Sequence, residues 1–206
     1  TILDESLSLP IGAWLYRSVS RLGNKPIRIL ILDELDKYKN PKNEASSESL
    51  AEKRATTWRT RRKVVKISTP TTEDGPIWKA LTKEAGARFD FWVRCPHCGF
   101  FQHMDFERIA WPGKDEEKSP DAETVLAKRL AYYACEYCGA VWDDGDRDRA
   151  VRGGEWRERT SGLELMAHVA AHRPVKVGFH IPAWLSYFVS LSEVAHAWLK
   201  YKESGK

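Results

Sequence analysis

The sequence predicts an α/β fold in which a mostly parallel sheet is interrupted by a cysteine-bearing insertion. Three observations carry this. Hydrophobic periodicity between residues 27 and 94 alternates strand, helix, strand, helix, strand, the order of a parallel sheet with crossover helices. The first of these strands ends in carboxylates, "ILILDELDKY" over residues 29–38. Two short motifs of identical spacing, "CPHCG" and "CEYCG", then bracket a stretch of different character.

Residues 6–16, "SLSLPIGAWLY", alternate around a Pro and a Gly and are expected as a strand, a turn and a short strand. "RSVSRLGNKP" reads as a loop or short helix. "IRILIL" is nearly continuous in aliphatic residues, which predicts a strand buried on both faces. "YKNPKNEASSES" is a polar loop. A helix is expected over "SLAEKRATTWRTR", with Ser49 and Glu52 in capping-box spacing, and with Leu50, Arg54 and Trp58 recurring at steps of four, as do Ala51 and Ala55. "RKVVKIS" is a β-branched strand running into "STPT". "DGPIWKALTKEAG" predicts a helix with Pro76 at its first position and Gly86 at its end. "RFDFWVRC" alternates as a half-buried strand. Residues 95–138 hold short strands, aromatics and a charged loop; "GAVWDDGDRDRAVRGGEW" reads as turn-rich. "VKVGFHIPAWLSYF" is a strand entering a loop, and "SLSEVAHAWLKYKES" closes as a helix with Ser190 and Glu193 in capping-box spacing.

The chain has 206 residues, 42% apolar and with nine tryptophans, which predicts a packed globular protein rather than a disordered one. A net charge of +4 selects no partner by itself. No run reaches the roughly 18 apolar residues of a membrane span. The N-terminus, "TILDESLSLP", lacks an initiator Met and a basic segment before an apolar run, so it reads as the cut end of a longer chain and not as a signal peptide.

Ligands of parallel sheets bind at the carboxyl ends of strands, where Asp33 and Glu34 fall. A short carboxylate there can hold Mg²⁺ with its waters, and a neighbouring one can orient a water for attack on a γ-phosphate. Asp33 suits the first role and Glu34 the second, in the Walker B pattern of four hydrophobics followed by Asp-Glu; Asp36 is positioned for substrate or a loop. The plainer alternative is a capped strand entering a polar turn. The next strand ends in Ser68, Thr69, Pro70 and Thr71, whose hydroxyls suit sensing of a phosphate; strand-end Ser and Thr are also ordinary. Together the two motifs favour a nucleotide site, in a partial P-loop NTPase-type (ASCE) domain. The chain contains no G-x-x-x-x-G-K-[ST], so the phosphate cradle is expected within roughly 150 residues upstream of Thr1.

Cys95, Cys98, Cys135 and Cys138 form two C-x-x-C-G knuckles, a donor set for a closed structural Zn²⁺ site. The glycines are expected to turn an N–H toward a thiolate. His97 is expected to face solvent, with His103 close by. The ribbon would staple an insertion too small to hold itself together, or contact DNA or a partner. Between residues 53 and 66 stand seven cations and no acid: a phosphate-contacting patch, an Arg reaching a nucleotide, or a solvated helix face. The aromatics of "GFHIPAWLSYF" are expected in the core, with His180 as a satisfied structural side chain.

In this order, "SLPIGAW", "ILILDELDKY", "ESLAEKRATTW", "KISTPT", "CPHCGF", "CEYCGA", "GEW" and "VGFHIPAWLS" resemble the large subunit of tailed-phage terminases, the lambda-like GpA family. The resemblance implies an ATPase motor that drives viral double-stranded DNA into procapsids, joined to a metal-dependent endonuclease. It implies a homo-oligomer working with a small terminase subunit and a portal in the host bacterial cytoplasm, encoded by a bacteriophage or prophage. It makes Asp33 the Walker B aspartate, Glu34 the catalytic glutamate, Ser68–Thr71 the coupling motif, and the four cysteines the zinc site. Residues 1–94 and 139–206 would be a partial ATPase domain, inactive alone, and 95–138 the zinc ribbon. Phe188 stands where the family would place a Pro. A superfamily 2 helicase fragment and a non-catalytic zinc-ribbon binding module are the rival readings.

Overall fold

The computed structural model describes residues 26–38, 46–114, 116 and 119–204. The strands expected over residues 6–16, the loop after them up to residue 25, and much of the loop over residues 38–49 lie outside the described residues. The chain divides into two compact units, Thr1–Glu84 and Ala85–Lys206.

In the first unit β1 (Ile29–Leu32) pairs in parallel with β2 (Lys63–Lys66), Ile29 opposite Lys63 and Leu32 opposite Lys66. Between them run α1 (Ser47–Ala55) and a 3-10 segment, Thr56–Arg61, broken at Arg59. A short helix, α2 (Pro76–Lys79), follows β2 and continues as a π-helical turn over Ala80–Glu84. Leu30, Leu32, Leu35, Ile27 and Ala51 form the core, with Tyr38, Val64 and Ile77 packed on it. Two expectations change here. β1 is buried on one face only: Leu30 and Leu32 point in, while Ile29 and Ile31 are 40% and 60% exposed. The cap of α1 is Ser46, whose hydroxyl accepts from Ser49 N–H, so Ser49 is not the capping residue. Of the two stripes at steps of four, Ala51 and Ala55 is the fully buried one, while Leu50, Arg54 and Trp58 are only half-buried.

In the second unit β3 (Ala87–Arg94) is the central strand. It pairs antiparallel with β4 (Phe101–His103) and with β8 (Glu155–Glu158), and parallel with β9 (Val177–Phe179). A second, antiparallel sheet joins β5 (Ile109–Ala110), β6 (Tyr132–Ala134) and β7 (Val141–Trp142). The sheets among the described residues are therefore mixed, not mostly parallel. Gly154, next to β8, lies so close to β3 that a Cβ would strike the Phe91 ring. The core runs from Val93 and Cys95 through Tyr133, Cys135 and Trp142 to Leu191 and Val194 on α6 (Leu191–Glu203). α6 starts on the full reciprocal Ser190–Glu193 capping box that its sequence predicts.

Three helices were not expected. α3 (Ala122–Ala127) is capped by Asp121 inside the charged loop. α4 (Asp144–Arg152) occupies the stretch read as turns: Asp143 caps it, Arg147 pairs with Asp144 and Asp148 and donates to Trp184 O, and Ala150 enters the core. α5 (Leu165–His172) is capped by Glu164, whose carboxylate accepts from Met166 and Ala167 N–H. Of the "GFHIPAWLSYF" aromatics, Trp184 donates to Met104 O and packs on the core, and Phe179 stacks on Phe89. Phe179, Tyr187 and Phe188 are exposed and not in the core as expected, and His180 is exposed too. Among the described residues no helix is long and apolar enough to cross a membrane.

Candidate functional site

Parallel pairing brings the carboxyl ends of β1 and β2 to one edge. The chains stay in register past the strands: Ile67 N–H donates to Leu32 O at 2.8 Å and Leu35 N–H to Ile67 O at 3.2 Å. Asp33 and Glu34 therefore emerge beside Ser68, whose hydroxyl accepts from Asp36 N–H at 3.1 Å. Asp33 and Glu34 are exposed. The Asp33 carboxylate accepts from Glu34 N–H at 3.0 Å, and Glu34 forms a 2.6 Å ion pair with Lys37. Glu34 has left-handed backbone, φ 55° and ψ 40°, uncommon for a residue with a long side chain.

Asp36 ties the edge together. Its carboxylate accepts from Ile77 N–H at 2.8 Å, Thr71 N–H at 3.0 Å and the Thr71 hydroxyl at 3.2 Å. Of the two roles its position allowed, it fills the loop contact. Burial pushes its carboxyl up, but these donors outweigh burial and hold it below the ordinary aspartate range. Ile77 is in the first turn of α2, and Gly75, the residue at its cap, has no side chain to cap with; Asp36 supplies that bond from the other side of the edge. A Cβ at Gly75 would run into the Asp36 carboxylate. Thr69 is exposed beside this turn. Sequence reasoning also passed over Tyr38, which packs on the core of this unit; burial, then the Asp33 charge, raises its phenol pKa.

The second cluster lies in the other unit. The β3–β4 and β6–β7 hairpins each carry a knuckle, and the Sγ atoms of Cys95, Cys98, Cys135 and Cys138 all lie within 4.8 Å of one another. Cys95–Cys138 and Cys98–Cys135 are each 3.9 Å apart, close to the roughly 3.8 Å edge of a tetrahedron with metal–sulfur bonds of about 2.3 Å. No disulfide forms. The knuckles share one backbone design: Gly99 N–H donates to Cys95 O and Gly139 N–H to Cys135 O, both glycines at positive φ. The glycines thus close the turn, and the N–H groups aimed at sulfur are those of His97 and Cys98 on Cys95, with Tyr137 and Cys138 doing the same for Cys135. Burial pushes the Cys135 thiol up, but those amides and the neighbouring thiols bring it down to about 7. Phe100 N–H pulls Cys98 down, yet desolvation and the three crowding sulfurs push it up to about 12. Sulfurs this close share negative charge poorly without a cation, so the donor set fits a metal ion. Buried Gln102 was missed from the sequence. Its amide donates to Cys135 Sγ at 3.6 Å and accepts from Glu136 N–H at 2.8 Å. His97, half-exposed, lies 3.5 Å from Asp146 and outside the cluster. His103 pairs with Asp105.

The first unit thus holds a strand-end acidic pair beside a hydroxyl turn, and the second a four-thiol cluster. Residues 9–156 match the family described as phage terminase large subunit gpA, ATPase domain, and the chain belongs to that family. The terminase large subunit of Enterobacteria phage P21 is 25% identical over 214 residues, an alignment that takes in 97% of this chain and 31% of the relative. The chain thus spans about a third of that relative's length. No solved structure gives a significant match.

Proposed function

We propose that this chain is the Walker B half of the ATP-hydrolysing motor that packages viral double-stranded DNA, built on a P-loop NTPase-type (ASCE) sheet. The observation that carries the reading is the shared edge of β1 and β2, where Asp33 and Glu34 meet the Ser68–Thr71 turn through Asp36. Asp33 would help hold Mg²⁺, which neutralises charge on the phosphates of ATP. Glu34 accepts a proton from, and orients, the attacking water. Ser68, Thr69 and Thr71 sit where loss of a phosphate would alter their hydrogen bonds, and Asp36 passes that change to α2. The phosphate cradle is not among these residues, so the chain alone is inactive.

Cys95, Cys98, Cys135 and Cys138 hold structural Zn²⁺ in a ribbon over residues 95–138, inserted between 1–94 and 139–206. In the whole protein we infer an added endonuclease, a homo-oligomeric assembly, and partners in the small terminase subunit and the portal of the procapsid, in the host bacterial cytoplasm. The test is Glu34→Gln in the full-length protein. ATP turnover should fall by about a hundredfold or more while nucleotide binding persists. Turnover that survives this change refutes the assignment.

A further inference from the structure

The seven cations between residues 53 and 66 are of two kinds. Lys66 is clamped by Glu48 at 2.6 Å, Glu52 at 3.0 Å and Glu84 at 3.8 Å. Arg54 is half-buried with its Nε shielded from solvent. Lys53, Arg59, Arg61, Arg62 and Lys63 differ: all are exposed, and none pairs with a carboxylate among the described residues. In the other unit some exposed arginines are neutralised, Arg159 bidentate on Asp90 and Arg149 on Asp146, while exposed Arg129 and Arg152 are not in a run. Five unpaired like charges within eleven residues repel one another, and an ordinary surface intersperses both signs.

Geometry brings two of them, Arg59 and Arg62, to one notch. At Arg59 the backbone leaves the helix, at φ 29° and ψ −93°. Thr56, Arg59, Thr60 and Arg62, two hydroxyl and two guanidinium side chains, line an open notch of about 380 Å³. The strip precedes β2 and so lies at the amino ends of β1 and β2, where Lys63 N–H donates to Arg28 O. Asp33 and Ser68 are at the opposite ends, roughly 13 Å away along a four-residue strand. That separation argues against these cations reaching a nucleotide held at the carboxyl edge. Trp58, the aromatic within the strip, is half-buried and offers little face for a base.

We propose that Lys53, Arg59, Arg61, Arg62 and Lys63 form a track for the phosphate backbone of duplex DNA, independent of its sequence. The identity of the partner rests on the packaging-motor reading; the surface rests on the charges and their position. β2 then joins a DNA-contacting end to the hydroxyl turn at its other end.

The test measures binding of a labelled duplex to this 206-residue chain across a salt series. The variant R59Q/R61Q/R62Q/K63Q should weaken binding by about tenfold or more and flatten the slope of log K against log salt by about 3.6, 0.9 for each lost phosphate contact. R59K/R61K/R62K, which keeps the charge, should bind like the parent. K83Q/K128Q/R129Q/R152Q, which removes as much charge elsewhere, should also bind like the parent. The proposal is overturned if the first variant binds normally, if the last loses as much, or if single-stranded competitor displaces the duplex equally well. Glu34→Gln separates this from the catalytic reading: surviving turnover would defeat the motor assignment without altering the duplex result, and the converse also holds.

Discussion

Asp36→Ala tests the edge where β1 and β2 meet. The wild-type carboxylate takes three hydrogen bonds, from Ile77 N–H, Thr71 N–H and the Thr71 hydroxyl. Bonds to a charged group contribute about 1.5–3 kcal/mol each when buried. This carboxylate is largely solvated, so screening reduces them to roughly 0.7 kcal/mol each, about 2 kcal/mol together. One of the three is the cap of α2, and cap losses of about 1 kcal/mol agree with that share. A loss of about 2 kcal/mol lowers the melting temperature of a chain this size by about 4–8 °C. Differential scanning calorimetry reads the shift, and faster amide exchange at Thr71 and Ile77 locates it. The pH dependence has a definite sign. The folded carboxyl titrates below its ordinary value of 3.8, so its contribution is complete above that value and is lost as pH falls through the lower, folded one. The gap between wild type and variant should be constant near neutrality and close in acid. A variant melting within about 1 °C of wild type at neutral pH would refute the role given to Asp36.

Cys135→Ser should abolish stoichiometric zinc in elemental analysis and lower thermal stability, whereas unchanged zinc stoichiometry in this variant would contradict the four-thiol site. Gln102→Leu should weaken zinc affinity by about 10–100-fold in chelator competition, because it removes the donor to Cys135 Sγ and orphans Glu136 N–H. Ser190→Ala removes the hydroxyl that accepts from Glu193 N–H, leaving the residue-190 N–H on the Glu193 carboxylate, and should cost about 1 kcal/mol in denaturant titration; no change in midpoint would mean the cap is not limiting.

The knuckles were legible because four thiols at C-x-x-C-G spacing leave the backbone few other uses for them. The parallel pair β1–β2 and the start of α6 were legible for a similar reason, since pattern and cap agree. The one-sided burial of β1 was not, because an unbroken aliphatic run does not say which face will be covered. Ser46, Ser47 and Ser49 are equally good caps by type, and only the packing of Ala51 and Ala55 selects the first. α4 was disguised by its charges, which look like a loop until the i,i+3 pairs of Asp144 with Arg147 and Asp146 with Arg149 are seen in register. α5 hid behind Glu164, an unusual residue at a cap. Gln102 and Asp36 act on residues more than thirty positions away, a relation no local pattern encodes.

The left-handed twist at Glu34 has a bearing on which residues the position tolerates. Gly, Asn or Asp would sit in that conformation at lower conformational cost, by up to about 1–2 kcal/mol. A glutamate kept there trades backbone comfort for reach: its carboxylate stands one methylene farther from the chain than an aspartate's, and the twist, not the rotamer alone, sets the direction in which it projects.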